Sequence, residues 1–300
     1  MKTLKSLSRK EFKTRFGTSE QCLMYLYDQK WSNGYKCVKC GNSKSCTGRK
    51  PYNRRCTRCG YDESATAGTL FHKLKFGIEN AFEMVYDIVT SKKGASSIWL
   101  AERYGVRQNT AWLFRRKLQQ ATRSSKSYPL EKEVHVDEFE IGTPQKGEQG
   151  RSKSEKKTRV VLAIEHRNGK SGRAYARVIE DYSFASLRHI FNDHISEDAF
   201  VVTDEWSGYK PLKKLYKNMS SKLSKNGQNF QTIHIQIRNL KNWLRGTHSY
   251  CNKENLNEYL DEYFFRFNRN NFRATILEKV LERMALSPPK PYISIKCNVA

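Results

Sequence analysis

Apolar positions divide the chain into stretches of different period. Up to residue 30, Phe12, Phe16, Cys22, Leu23, Tyr25 and Leu26 are available for one buried helical face, and residues 78–121 return to helical periodicity. Between them, 31–67 is rich in Gly, Cys and Lys, with short strand-like pieces in "GYKCVKC" and "YNRRCTRC". The polar stretch "SSKSYPL", 124–130, ends in proline and marks a boundary. From 133 the period shortens, and "EVHVDEFEIG", "TRVVLAIEH" and "GRAYARVIE" predict three strands. "FASLRHIFNDHI" predicts a helix and 199–203 a short buried strand. "QTIHIQI" predicts a further strand before two or three helices from 238 to 286. Residues 144–157 read as a charged loop.

The expected organisation is a helical segment over 1–30, a zinc ribbon over 31–75 and a helix-turn-helix over 76–123. An α/β catalytic domain over 131–286 and a tail over 287–300 follow. Composition changes this picture by naming the partner. The chain has 55 Lys+Arg against 30 Asp+Glu, a formal charge of +25 spread along its length. Such an excess suits a polyanion, because each neutralised phosphate releases counterions. No run approaches the ~18 apolar residues of a membrane span. The start is basic but lacks the apolar region of a secretory signal. The expected setting is the cytoplasm, associated with the nucleoid.

Five of the eight cysteines fall between 37 and 59. Cys37-x2-Cys40 and Cys56-x2-Cys59 are fifteen residues apart, the spacing of two knuckles that close a tetrahedron of thiolates around Zn2+. The alternative, four reduced thiols in a core, fails on the surroundings: "KCVKCGN" and "RRCTRCGY" are too polar. Such a closed site folds the module and presents Lys36, Lys39, Arg54, Arg55 and Arg58. Cys46 is the substitute ligand; Cys22, Cys251 and Cys297 read as ordinary thiols.

"GASSIWLAERYGVRQNTAWLFRRKLQQA" pairs two helices around Gly105, as a DNA-reading helix-turn-helix does. The second helix opens with Arg107, Gln108 and Asn109, side-chain types that read base edges. Arg115 and Arg116, with Lys117, would serve phosphates. A plain helical hairpin with a solvated face is the competing reading.

Two carboxylates carry the candidate chemistry. Asp137 lies in the first strand of the second half, on one face with His135 and Phe139. Glu138 falls on the other face by alternation, so the two are not expected at one site. Asp204 ends the fourth strand. Acids on strands one and four suit a ribonuclease-H-like sheet, where those strands are neighbours and can bind Mg2+ or Mn2+. Taken singly, Asp137 reads as a surface carboxylate and Asp204 as a cap on the following turn. A third ligand is expected on a later helix, where the chain offers Asn239 and no carboxylate between Gln231 and Lys253. Lys241, Arg245 and His248 are close enough along it to touch phosphate. Asp261 and Glu262 are alternative acids.

The pieces "CVKC…CTRC", "SATAGTLFHKLK", "LAERYGVRQNTAWLFRRKL", "VDEFEIG", "TDEWSGYKPL" and "NLKNWLRGTH…LNEYLDEYFFRFNR" resemble, in order, a bacterial insertion-sequence transposase of the ISXO-like type. The resemblance implies a DDE-type transposase on a ribonuclease-H-like fold, with Asn often third and a Lys beside it. It supports Asp137, Asp204 and Asn239 as the triad, with Lys241 or Arg245 the accompanying cation. The family's run of glycines in the charged loop is thinned here to Gly147 and Gly150. Its partners would be double-stranded DNA, at element ends and target, and further copies of itself, because synapsis needs more than one subunit. A non-catalytic DNA-binding protein derived from a transposase and a stand-alone metal nuclease are the alternatives.

Overall fold

The structure, a computed structural model, describes residues 6–124, 126–142, 157–167, 169–225, 228–248 and 251–296. The charged loop up to residue 156, with Gly147 and Gly150, lies outside them, as does Cys297. The first half runs α1 (Arg9–Phe16), α2 (Ser19–Lys30), β1 (Ser45–Thr47), β2 (Asn53–Cys56), β3 (Asp62–Ser64), α3 (Ile78–Thr90), α4 (Ser97–Tyr104) and α5 (Gln108–Thr122). The second runs β4 (Glu133–Ile141), β5 (Thr158–Arg167), β6 (Lys170–Ile179), α6 (Phe184–His194), β7 (Phe200–Thr203), β8 (Met219–Ser221), α7 (Gln231–Thr247) and α8 (Leu256–Asn268). The helices α9 (Ile276–Leu286) and α10 (Tyr292–Lys296) close the chain.

Two compact units emerge: residues 1–122 with 271–300, and residues 123–270. In the first, α1 and α2 begin at capping boxes, Ser8 with Glu11 and Thr18 with Gln21, which satisfy orphan N–H groups at each start. Every residue of α3 from Ala81 to Val89 is buried. Its two acids, Glu83 and Asp87, are met by Arg9, Lys13 and Arg103, because a buried carboxylate is costly without a partner. The helix α9 packs on α2, α3 and α5 through Ile276, Leu277, Val280, Leu281, Met284 and Ala285. The sequence reading ran the catalytic domain to 286, whereas this apolar stripe joins the all-helical layer of the first unit.

The second unit is a mixed five-stranded sheet in the order β6-β5-β4-β7-β8. The strands β4, β5 and β6 are antiparallel, and β7 and β8 are added parallel to β4. One face packs under α7 and α8 through Phe139, Ile164, Val202, Ile233, Leu240 and Phe264. The other packs under α6 and the 3-10 segment Ser207–Lys214 through Val134, Val136, Val161, Phe191, Tyr209 and Leu212. Each such side chain, fully buried, contributes ~1.5–3 kcal/mol.

Two assignments differ from the sequence reading. "QTIHIQI" opens the helix α7 instead of forming a strand. Alternating isoleucines suggested period two, but the buried set is Ile233, Gln236, Leu240, Trp243 and Leu244, and Ile235 is 48% exposed. The fifth strand is the three-residue β8, too short and too polar to carry a period.

Candidate active site and cysteine cluster

The strand β7 pairs with β4 only as far as His135, which lies opposite Val202, and it ends at Thr203. Beyond that point the β7 side of β4 lacks a strand partner among the described residues, and Asp204 lies just past the end of β7. One carboxylate oxygen from each of Asp137, Glu138 and Asp204 falls within 4.8 Å of the others.

This corrects the expectation that Asp137 and Glu138 serve different places. Alternation does send them to opposite faces: Asp137 meets His234 on α7, whereas Glu138 adjoins Tyr209 under the other layer. Their carboxylates nevertheless converge around the open edge. Asp137 curls along its own strand, its Oδ1 accepting from the Glu138 N–H at 2.9 Å.

Each acid has its own support. Asp204 Oδ1 accepts from the Trp206 N–H at 3.0 Å, closing a turn two residues on. It does not cap the 3-10 segment, whose N-cap is Trp206, so the turn and the cluster share this carboxylate. Trp206 Nε1 donates to the Tyr182 carbonyl at 2.9 Å and pins the segment after Asp204. Gly208 belongs there for a steric reason: a Cβ would lie 2.5 Å from that same carbonyl. The Tyr209 hydroxyl is held far above its ordinary pKa, first by burial and then by the charge of Glu138. His234 Nε2 lies 3.0 Å from Asp137 Oδ2. Neither His234 nor Glu138 was expected from the sequence. His234 was hidden because its segment read as a strand, Glu138 because strand alternation ignores what an open edge permits.

Asn239 is exposed on α7, five residues after His234 and so roughly 140° around the helix from it. Lys241 and Arg245 line a cavity of about 240 Å³ with Glu140, Ile141, Gly142, Lys157 and Leu244. Lys241 Nζ sits 5.3 Å from the Phe139 ring centroid, and its pKa is lowered by burial and then by Arg245. Glu140 is tied to Tyr182 Oη at 2.8 Å and to Lys157 Nζ at 3.3 Å. His248 packs against the rings of Trp243 and Tyr259. Asp261 is buried beside Arg177, its carboxyl pushed up to about 6 by desolvation.

In the first unit, the four thiols of Cys37, Cys40, Cys56 and Cys59 converge within 4.8 Å. The pairs Cys37–Cys59 and Cys40–Cys56 are 3.6 Å apart, close to the sulfur spacing that ~2.3 Å Zn–S bonds require. Gly41 and Gly60 turn the knuckles at φ 72° and 71°, each N–H returning to the carbonyl of the first cysteine of its pair. Backbone N–H groups, that of Cys59 first, lower the Cys56 thiol, whereas at Cys40 the Asn42 N–H is outweighed by desolvation and the neighbouring thiols, which raise it. Cys46 is exposed and outside the cluster. The donor set fits zinc. Arg54, expected to be presented, instead lies over the Tyr27 and Trp31 rings and donates to Tyr27 Oη.

The helices α4 and α5 meet at Gly105, whose φ of 60° suits a left-handed cap. Arg107, Gln108 and Asn109 are exposed at the start of α5. Arg115 and Arg116 are not surface phosphate contacts: they are 1% and 2% exposed. Arg115 donates to the Ala95 carbonyl and Arg116 to Gln119 Oε1, because this face of α5 packs inward.

Among the described residues, no helix is long and apolar enough to cross a membrane. A search of the curated proteins found no match. Residues 129–268 match the ISXO2-like transposase domain. That segment spans the five-stranded sheet, the carboxylate cluster, α7 and α8, and the chain carries the ISXO2-like domain of insertion-sequence transposases of this type.

Proposed function

We propose that the chain is a DNA transposase that binds the ends of its element, cleaves a phosphodiester and joins the freed 3′-hydroxyl to target DNA. The observation that carries this reading is the convergence of Asp137, Glu138 and Asp204 within a domain that matches the transposase family. The sheet order β6-β5-β4-β7-β8, with acids on β4 and just past the end of the adjacent β7, supports a ribonuclease-H-like fold. Asp137 and Asp204 would hold Mg2+ or Mn2+, an all-oxygen set that fits hard cations. Bound there, the metal supplies polarisation of the phosphate and activation of the attacking oxygen.

His234 orients Asp137, and Glu138 lies beside the buried Tyr209 hydroxyl. Glu138, already at the cluster, is the third carboxylate in this reading. Asn239 completes the site only if DNA or metal draws it in. Lys241 and Arg245 present cations to the DNA backbone beside the cluster. In the first unit, the α4–α5 pair acts as a helix-turn-helix reading bases with Arg107, Gln108 and Asn109. The zinc-held module positions it. Two copies are needed to bring two ends together.

Strand transfer by Asp137→Ala and Asp204→Ala tests the assignment, with folding and end binding checked in parallel. Both variants should bind ends and fail to join them. Joining at the parent's rate by either would overturn the metal-ligand roles. End binding without joining by the parent would make it a non-catalytic DNA-binding protein, and cleavage without end preference a nuclease.

A further inference from the structure

We propose that Glu133, His135 and His166 form a separate metal site for a borderline divalent transition ion of the zinc class. One ligand atom from each lies within 4.8 Å of the others. The sheet register explains the convergence: Glu133 is opposite His166 across β4 and β5, and His135 is two residues along, so all three share one face. Further along that face, the positions are filled by Ile164 and Phe139. Here three ligating side chains replace them.

The Glu133 carboxylate already spans both imidazoles. Its Oε1 is 2.8 Å from His135 Nε2 and its Oε2 is 3.8 Å from His166 Nδ1. A metal ion would take the place of the protons between them, as ligation releases protons. The two rings are stacked, 5.1 Å between centroids and 15° between planes, so a modest rotation of His166 brings its nitrogen to the shared ion. The Phe230 ring edge backs His135, which is 9% exposed, whereas His166 at 26% and Glu133 at 38% leave an entry path. Buried His135 Nδ1 has no hydrogen-bond partner among the described residues, so nothing on that nitrogen locks the ring.

Donor chemistry separates this site from its neighbours. The carboxylate cluster is all oxygen and suits hard cations; the cysteine cluster is all sulfur and closed. Two imidazoles and one carboxylate suit zinc or a similar ion and leave a fourth position for water or an external oxygen ligand. The site stands whether or not the chain transposes DNA.

The test is metal counting on the full, reduced chain, stripped and reloaded with Zn2+ by equilibrium dialysis. The parent should hold two zinc ions, one at the cysteines and one here. His166→Gln and Glu133→Gln, both at partly exposed positions, should each hold one. Asp204→Asn should hold two. Reloading with Co2+ should give the parent a thiolate charge-transfer band, and His166→Gln should keep that band while losing one cobalt. A single zinc in the parent overturns the proposal without any variant. So does a second zinc that survives His166→Gln and Glu133→Gln, or one lost with Asp204→Asn.

Discussion

His234 Nε2 lies 3.0 Å from Asp137 Oδ2, joining the first turn of α7 to the middle of β4. The hydrogen bond to Asp137, opposed by partial burial, raises the His234 pKa above the usual imidazole value. A raised folded pKa gives stabilisation that is full below the unfolded value of ~6.5 and is lost as pH rises through the folded one. His234 is 44% exposed, so solvent screening keeps the gain small. An NMR titration of the metal-free protein should place His234 above ~6.5. Asp137→Asn should bring it back to the ordinary range, and an unmoved value would separate the pair.

Glu138 and Asn239 compete for the third ligand position, and their placements differ. Glu138 is in the cluster, whereas Asn239 sits on the exposed side of α7. Glu138→Gln should lower strand transfer roughly 100-fold, the ~2.7 kcal/mol of two tenfold steps. Asn239→Ala should cost less if Glu138 is the ligand. The reverse order would return the third position to Asn239.

The reach of the sequence followed the strength of local signals. Paired cysteines and long runs of strand-forming residues are written in local sequence, so the thiolate cluster and β4 to β6 were legible. Asp137 and Asp204 could be placed together because the first and fourth strands were expected to be neighbours, and β7 does pair with β4 and end just short of Asp137. The α7 start was not legible, because Ile233, Ile235 and Ile237 alternate with period two, whereas tertiary packing buries Ile233 with Gln236 and Leu240 and leaves Ile235 exposed. Nor was the burial of Arg115 and Arg116, since an arginine donating to a buried carbonyl and one facing phosphate look alike in sequence.

Those arginines make a contrast with Arg107. Arg107→Ala, at an exposed position before α5, should weaken end binding and lower the salt slope by about 1 if it meets one phosphate, or relax base preference if it meets a base. Arg115→Ala should lower stability instead, because it unpairs the Ala95 carbonyl inside the first unit. Salt-dependent binding and denaturant unfolding of both variants distinguish the roles. A changed salt slope in folded Arg115→Ala would put that side chain back on DNA.

Glu165 is the buried charge on which the second unit most visibly depends. It is 0% exposed on β5, with Arg173 Nη2 at 2.9 Å from Oε1, Arg167 Nη2 at 2.7 Å from Oε2 and the Glu131 N–H at 3.1 Å from Oε1. Burial pushes its carboxyl up, but Arg173 and the Glu131 N–H outweigh that and hold it below the usual range. A depressed folded pKa gives stability that is present above the unfolded value of ~4.3 and lost as pH falls through the folded one. Glu165→Ala should therefore lower stability at neutral pH by up to ~3 kcal/mol, because Arg173 keeps only the Tyr128 and Pro129 carbonyls and the Glu131 N–H loses its acceptor. Glu165→Gln should flatten the acid side of the stability curve while retaining part of the packing. Urea unfolding across pH 3 to 8, roughly spanning that transition, measures both. If Glu165→Gln loses stability in acid as steeply as the parent, the acid sensitivity belongs to other carboxylates.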